Sequence, residues 1–245
     1  MKKSFIESTR DFILEWSVTI LILLFGTTTL MQAFVVPTSS MERTVLTGDH
    51  MIVDKLSYAP PGSLTRHLLP YTPVHRGDII VFRWPPDPTQ NYIKRVIGLP
   101  GDHVRVVNKE VYVNGKKLTE PYIQHIDSRI EPYRDNFPSE PFGPVDQRGL
   151  AMLQNHVVNG DLVVPADRYF AMGDNRDNSL DSRYWGFVPR DNIVGKPFAI
   201  FWSYEAPTED LVSYNAHHFI DLAQHFFTKT RWERTLRLVH GYPLE

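Results

Sequence analysis

The chain has no cysteine among its 245 residues. Structural disulfides and thiolate metal sites are therefore excluded, although a zero count does not assign a compartment. Charge of either sign is also missing as a dominant theme. Against 26 Lys and Arg stand 28 Asp and Glu, and no basic stripe marks nucleic acid as the main partner. The G-x-S-x-G signature of many Ser-His hydrolases is absent. Ten histidines are present, but no H-E-x-x-H or similar spacing frames a zinc site. His217, His218 and His225 gather in the tail, where the plain reading is a polar helix face. There is no internal repeat, and the length suits a short anchor and one sizeable domain.

What is present begins with one uncharged run, WSVTILILLFGTTTLMQAFVV, from Trp16 to Val36. Its length meets the need of a helix crossing about 30 Å of hydrocarbon. A cleaved signal peptide has an apolar core of about 7–15 residues and a small-residue cleavage site, and QAFVVPT is not one. The expectation is an uncleaved transmembrane signal anchor over 16–36. Lys2, Lys3 and Arg10 place the segment 1–15 in the cytosol, with Arg43 and Lys55 a mild counterweight beyond the span. Ser40 then stands four residues past the run, within roughly 15 Å of the bilayer at full chain extension.

After the anchor the pattern is mostly short strands: HMIVDKL, GDIIVFRW, HVRVVN, DLVVPADRYFAMGDN and GKPFAIFWSY. Asn114-Gly115 within VYVNGKKL predicts a tight hairpin. Nineteen prolines, some paired as Pro60-Pro61 and Pro85-Pro86, argue against long helices mid-chain. From about Glu120 to Asn159 the chain turns polar and reads as an insertion or cap, mostly loop. Phe219, Leu222, Phe226 and Phe227 recur at helical spacing in the tail. They predict an amphipathic helix, with packing on the core favoured over a membrane surface. The fold class expected is mainly β: a single N-terminal transmembrane helix, then an antiparallel β-sheet catalytic domain with an inserted cap and a C-terminal helix. The divisions expected are a core over 37–107 and 163–203, a cap and hairpin region over 108–162, and a tail over 204–245.

Three segments carry possible chemistry. Ser40, in PTSSM, has a hydroxyl that is weakly nucleophilic until a base takes its proton. Lys94, in YIKRVIGLPGD, lies in an apolar strand on the face of Tyr92 and Val96. Burial there would lower its pKa from the ordinary value of about 10.4. On local sequence alone, a snorkelling surface lysine is the commoner reading. The third is GDNRDNSLDSRYWGF, dense in Asp, Asn, Arg and Ser. A calcium loop is one reading, opposed by Arg176, Arg183 and the missing closing glutamate. A turn held by its own side chains is another.

In the order SSM, GDIIVF, YIKRVIGLPGD and GDNRDNSLDSRYWG, these strings resemble the bacterial type I signal peptidases. The likeness covers roughly residues 16–107 and 163–203. It implies a membrane-anchored serine endopeptidase that removes signal peptides from exported preproteins, with Ser40 as nucleophile and Lys94 as general base through an acyl-enzyme. The oxyanion hole would use the Ser40 N–H and the Thr38 hydroxyl. Ser179 would hydrogen-bond and orient the lysine, with Asp181 and Arg183 bracing the site. Val36, Pro37, Tyr92 and Ile93 would line shallow pockets for small residues before the cleaved bond. The implied partners are signal-peptide-bearing preproteins and the lipid bilayer, with no cofactor, metal or nucleic acid. The implied location is the bacterial cytoplasmic (inner) membrane, with the catalytic domain outside it. The sequence departs from the family at Arg43, where a proline is usual, so the turn after Ser40 loses one fixed φ. A silent membrane-tethered scaffold, or a Ser/Lys peptidase acting on itself or a dedicated regulator, are the alternatives.

Overall fold

The apolar run does not stay helical to its end. In the structure, a computed structural model describing residues 5–58, 72–212 and 216–244, helix α1 covers Phe5–Phe25. A wider π turn follows over Gly26–Leu30, and strand β1 (Met31–Val35) takes the remainder. Lys2, Lys3, Pro60-Pro61 and the His217 side chain lie outside the described residues. The helix long and apolar enough to cross a membrane is Thr9–Leu30, with none of its apolar window buried in the protein. This shifts the expected span of 16–36 toward the N-terminus. The cause is where the backbone bonds go. β1 pairs with β2 (Asp49–Asp54) from Met31↔Asp54 to Val35↔His50, so its amides are satisfied by a sheet. An open-edged strand has no place among lipid tails. At the helix end, Thr27 and Thr28 donate their hydroxyls to the carbonyls of Leu23 and Leu24, which satisfies them within the apolar segment. Ser40 consequently stands ten residues beyond Leu30, and the extended-chain bound on its height grows to roughly 35 Å.

β3 (Ile79–Trp84) and β4 (Asp87–Gly98) follow as a hairpin over Pro85 and Pro86. β5 (His103–Val107), β6 (Glu110–Val113) and β7 (Lys116–Lys117) come next. The last two are joined through Asn114 and Gly115, both at positive φ, as the Asn-Gly pair predicts. Beyond them lie α2 (Gln147–His156), β8 (Val157–Val158), β9 (Asp161–Val163) and β10 (Arg168–Met172). A single turn, α3 (Ser182–Trp185), leads to β11 (Val188–Pro189) and the long β12 (Ile193–Ser203). The chain closes with α4 (Thr208–Val212), α5 (Ala216–Lys229) and β13 (Arg237–Leu238).

Two antiparallel sheets result. The larger runs β1-β2-β12-β3-β4-β10-β11, with β13 added to β12; the smaller runs β7-β6-β5-β9-β8. β5 was expected at the end of the catalytic core, yet it bonds to β6 and β9 in the smaller sheet. DLVVPADRYFAMGDN, read as one strand region, divides between the sheets as β9 and β10. The segment expected to be mostly loop contains α2, whose N-terminus is capped by the Asp146 carboxylate accepting from Arg148 N at 2.7 Å. Ten residues with one buried methionine, Met152, give too short a pattern for periodicity to register. The tail helix is present, but Phe219 and Phe227 are 58% and 78% exposed, against the expected packing on the core.

Candidate active site

Ser40 sits in a short 3₁₀ turn, Ser39–Met41, which follows β1 and is anchored by the fully buried Met41 side chain. Lys94 comes from the middle of β4, beside β3 at Ile80↔Lys94. The two meet across 54 residues of sequence: Lys94 Nζ lies 2.7 Å from Ser40 Oγ. Both are buried, at 3% and 7% exposure. The local reading of a snorkelling lysine is therefore overturned. Both faces of β4 are covered here, which the apolar neighbours of Lys94 indicated and single-residue statistics did not. Burial lowers its pKa from 10.5 to about 8, against an upward pull from Asp181 and Asp174. A group with that value is about one-tenth neutral at pH 7, far more than an ordinary lysine, and a neutral amine can accept a hydroxyl proton.

Thr38 Oγ1 is 3.4 Å from Ser40 Oγ, at the outer limit of a hydrogen bond, and Thr38 is exposed. A hydroxyl so placed is open to an incoming carbonyl oxygen. Asp181 and Arg183 form a buried pair, with Arg183 Nη2 donating to Oδ2 at 2.8 Å and Nε to Oδ1 at 2.9 Å. Burial pushes the Asp181 carboxyl up, but Arg183 and the Gly173 N–H together hold it below its usual range. Ser179 departs from expectation: its buried hydroxyl makes no hydrogen bond to Lys94 and lies beside the Asp181 carboxylate, whose pKa it helps to hold down. Lys94 uses the Ile93 carbonyl, at 3.0 Å, as its second acceptor. The Ser179 hydroxyl instead packs over Gly173, where an added Cβ would lie 2.3 Å from Ser179 Oγ and 2.5 Å from Ser40 O. Glycine is needed there for closeness alone. Of the expected pocket residues, Val36 and Ile93 share one apolar cluster with Met41, and the partly buried Pro37 follows Val36. Tyr92 belongs to a second cluster, its ring stacked on Trp84 at 4.8 Å, and Lys94 Nζ lies 5.4 Å from its centroid.

Several supporting residues escaped the sequence reading. Arg95 and Asp174 form a fully buried pair, Nε to Oδ1 at 2.8 Å and Nη2 to Oδ2 at 2.7 Å, and Thr44 Oγ1 donates to the same carboxylate. Asn175 N donates to Ser40 O at 3.1 Å, which ties the Ser40 turn to the GDN segment. The cap is tied in as well: Gln124 pairs with Asn175, and Glu120 forms a two-point bond with Arg176. Their signal was the polar density of 173–187 and the arginine beside Lys94. The partners lie 51 to 135 positions away and could not be matched from spacing.

Arg43 adopts φ +86, and its Nη1 donates to Ile123 O at 2.7 Å. The turn has therefore not simply lost a rigid φ: it takes a conformation that proline, fixed near −65°, cannot adopt. Arg43→Pro is expected to lower both the melting temperature and peptidase activity, whereas Arg43→Gly, which accepts positive φ freely, should fold normally. Thermal melts and a cleavage assay on the two variants check this.

A serine hydroxyl and a buried amine joined in this way invite comparison with known proteins. Residues 9–202 match the family model described as signal peptidase, peptidase S26. The chain belongs to that family. As a signal peptidase family member it is a serine peptidase. The signal peptidase I of Pseudomonas fluorescens is 38% identical over 195 residues, covering 73% of this chain and 67% of that protein. That of Aquifex aeolicus is 36% identical over 233 residues, covering 81% and 86%. A crystal structure of a signal peptidase I from Enterococcus faecalis V583 is 34% identical, covers 51% of this chain and 97% of its own, and superposes with a TM-score of 0.39.

Proposed function

We propose that this protein is a membrane-anchored signal peptidase in which Ser40 attacks the scissile carbonyl of a preprotein while Lys94 takes its proton. The observation that carries this reading is the 2.7 Å contact between Ser40 Oγ and a buried Lys94 Nζ. Family membership supports the cleavage of signal peptides, and the apolar helix Thr9–Leu30 supports anchoring in a membrane. In the first step the neutral amine accepts the Ser40 proton as the Oγ–C bond forms. The tetrahedral oxyanion is met by the Ser40 N–H and the Thr38 hydroxyl. The Lys94 ammonium then protonates the departing amine, leaving an acyl-enzyme. Water, deprotonated by the same amine, attacks the ester, and Ser40 Oγ leaves with the proton. Val36, Pro37, Tyr92 and Ile93 would receive small side chains of an A-x-A-like site. The N-terminus would be cytosolic and the catalytic domain outside the bacterial cytoplasmic membrane.

The test uses the full chain in detergent with a preprotein carrying such a site. Cleavage after the A-x-A residues is expected, unchanged by Ser39→Ala. Because only neutral Lys94 acts as base, kcat/KM should rise about tenfold per pH unit below about 8 and level off above it. A rate indifferent to pH between 6 and 9 would remove Lys94 from the role of base.

A further inference from the structure

Ser40 lies on a compact loop, residues 36–49, whose two ends meet at a neck. At that neck Val36 N donates to Asp49 O at 2.9 Å, and Gly48 N to Val36 O at 2.8 Å. Met41 and Val45 fill the loop and are fully buried. Thr44 N and Val45 N both bond to Met41 O, so the chain after Ser40 is continuous with the turn that presents it. One carboxylate gathers the neck. Asp49 Oδ1 accepts from Ser203 Oγ at 2.6 Å and from Arg234 Nε at 3.1 Å. Its Oδ2 accepts from Leu46 N at 2.8 Å and from Arg234 Nη2 at 2.6 Å. Asp49 is fully buried and Arg234 is 7% exposed.

Arg234 belongs to the tail, in a short 3₁₀ turn over Trp232–Arg234. The same guanidinium reaches Thr44 O, inside the loop, at 3.3 Å. Arg231 adds a bond to Thr47 O, and Tyr204 N donates to Gly48 O at 2.9 Å. An added Cβ at Gly48 would lie 1.9 Å from Tyr204 O, so tail and neck are in direct contact. Arg234 lies beyond residues 9–202, the part of the chain that matches the family.

We propose that Arg234 is a positioning residue for peptide cleavage: through Asp49 it fixes the neck of the loop, and so the approach of Ser40 Oγ to Lys94. The proposal deepens the Ser40–Lys94 reading given above and rests on it. A buried ion pair kept for stability alone could sit anywhere in the fold. Here both bonds of the fork, and the further bond to Thr44 O, fall on the loop that carries Ser40. A guanidinium that grips a carboxylate at two points fixes its orientation, whereas an ammonium in the same place makes a point contact. Misplacing a reacting group by about 1 Å lowers the rate on the order of 10²-fold.

The test is steady-state cleavage of a preprotein by the full chain in detergent, below the melting range of every variant, with near-ultraviolet circular dichroism to verify the fold. Arg234→Lys keeps the buried charge and loses the fork. Its kcat should fall about tenfold, with KM changed less than about twofold, and Arg234→Met should fall about 100-fold. Asp49→Asn should show the same split. Because Arg234 acts through Asp49, the double variant of Arg234→Lys and Asp49→Asn should lose no more than the worse single one. Arg76→Lys is the matched control, since Arg76 also grips a carboxylate at two points, Asp102 at 2.9 and 3.2 Å. That control should melt lower than wild type with kcat unchanged. Should Arg234→Met fail to fold, Arg234→Lys and Asp49→Asn decide. Full kcat in folded Arg234→Lys, with Ser40→Ala inactive, would overturn the proposal and leave the dyad standing. So would equal losses in Arg234→Lys and Arg76→Lys, or losses that multiply in the double variant. Cleavage by Ser40→Ala would remove the dyad reading and the proposal with it.

Discussion

Lys94→Met should abolish cleavage and raise the melting temperature of the same molecule. Loss of the nucleophile or its base in a serine peptidase lowers kcat on the order of 10⁶-fold, and Ser40→Ala should match Lys94→Met in this respect. The stability gain has a separate origin. Folded Lys94 sheds its proton near pH 8, whereas an unfolded lysine does so near 10.5. Below pH 8 both states hold the proton, and the fold carries the full penalty of a buried ammonium, about 3 kcal/mol. Between the two values the unfolded state binds more protons, so stability rises with pH. Methionine fills similar space without a charge. Against the gain stand the lost contacts to Ser40 Oγ and Ile93 O, each about 1 kcal/mol, so a net stabilisation of about 1 kcal/mol is expected. Melts at pH 7 and pH 10 check it: wild type should gain stability between them relative to Lys94→Met. A variant that melts lower than wild type at pH 7 would mean that the ammonium is not penalised by burial.

Asp174→Ala should destabilise the protein by about 3–5 kcal/mol, the usual result of leaving a buried charge without its partner. The guanidinium of Arg95 is fixed by two bonds to this carboxylate, with one more to the Gly77 carbonyl at 2.8 Å. Thr44, in the turn after Ser40, loses its acceptor at the same time. Asp174→Asn keeps the shape and one acceptor oxygen, so it should fall between wild type and alanine. Arg95→Met with Asp174→Leu removes both charges and should be more stable than Asp174→Ala. Denaturant melts of the three variants order them. Equal stability of Asp174→Ala and wild type would show that Arg95 finds water in the folded state.

The strand pattern and the Asn114-Gly115 turn were legible because both depend on neighbours in sequence. So was the pairing of Ser40 with Lys94, though by resemblance: their contact is made by sheet topology, which spacing does not encode. Arg95–Asp174, Glu120–Arg176 and Asn175–Ser40 were hidden for the same reason. Ser179 shows the limit of resemblance, since its motif matches while its hydroxyl lies over Gly173 and not on Lys94. At the tail, hydrophobic spacing identified the helix but not its direction. Periodicity reports that one face is apolar, and the polar partners of Asp221 decide which way that face turns.

The five paired residues of β1 stand between the apolar helix and the Ser40 turn. Were that stretch a loose tether, each encounter with a membrane-held preprotein would begin with Ser40 at a different elevation. A strand locked in register behaves as a rigid mast. With the proposed anchoring, enzyme and substrate would search for each other only by sliding in the plane of the bilayer, with the vertical coordinate settled when the sheet folds. Lengthening the mast by two residues would leave the dyad intact but carry it past the cleavage site.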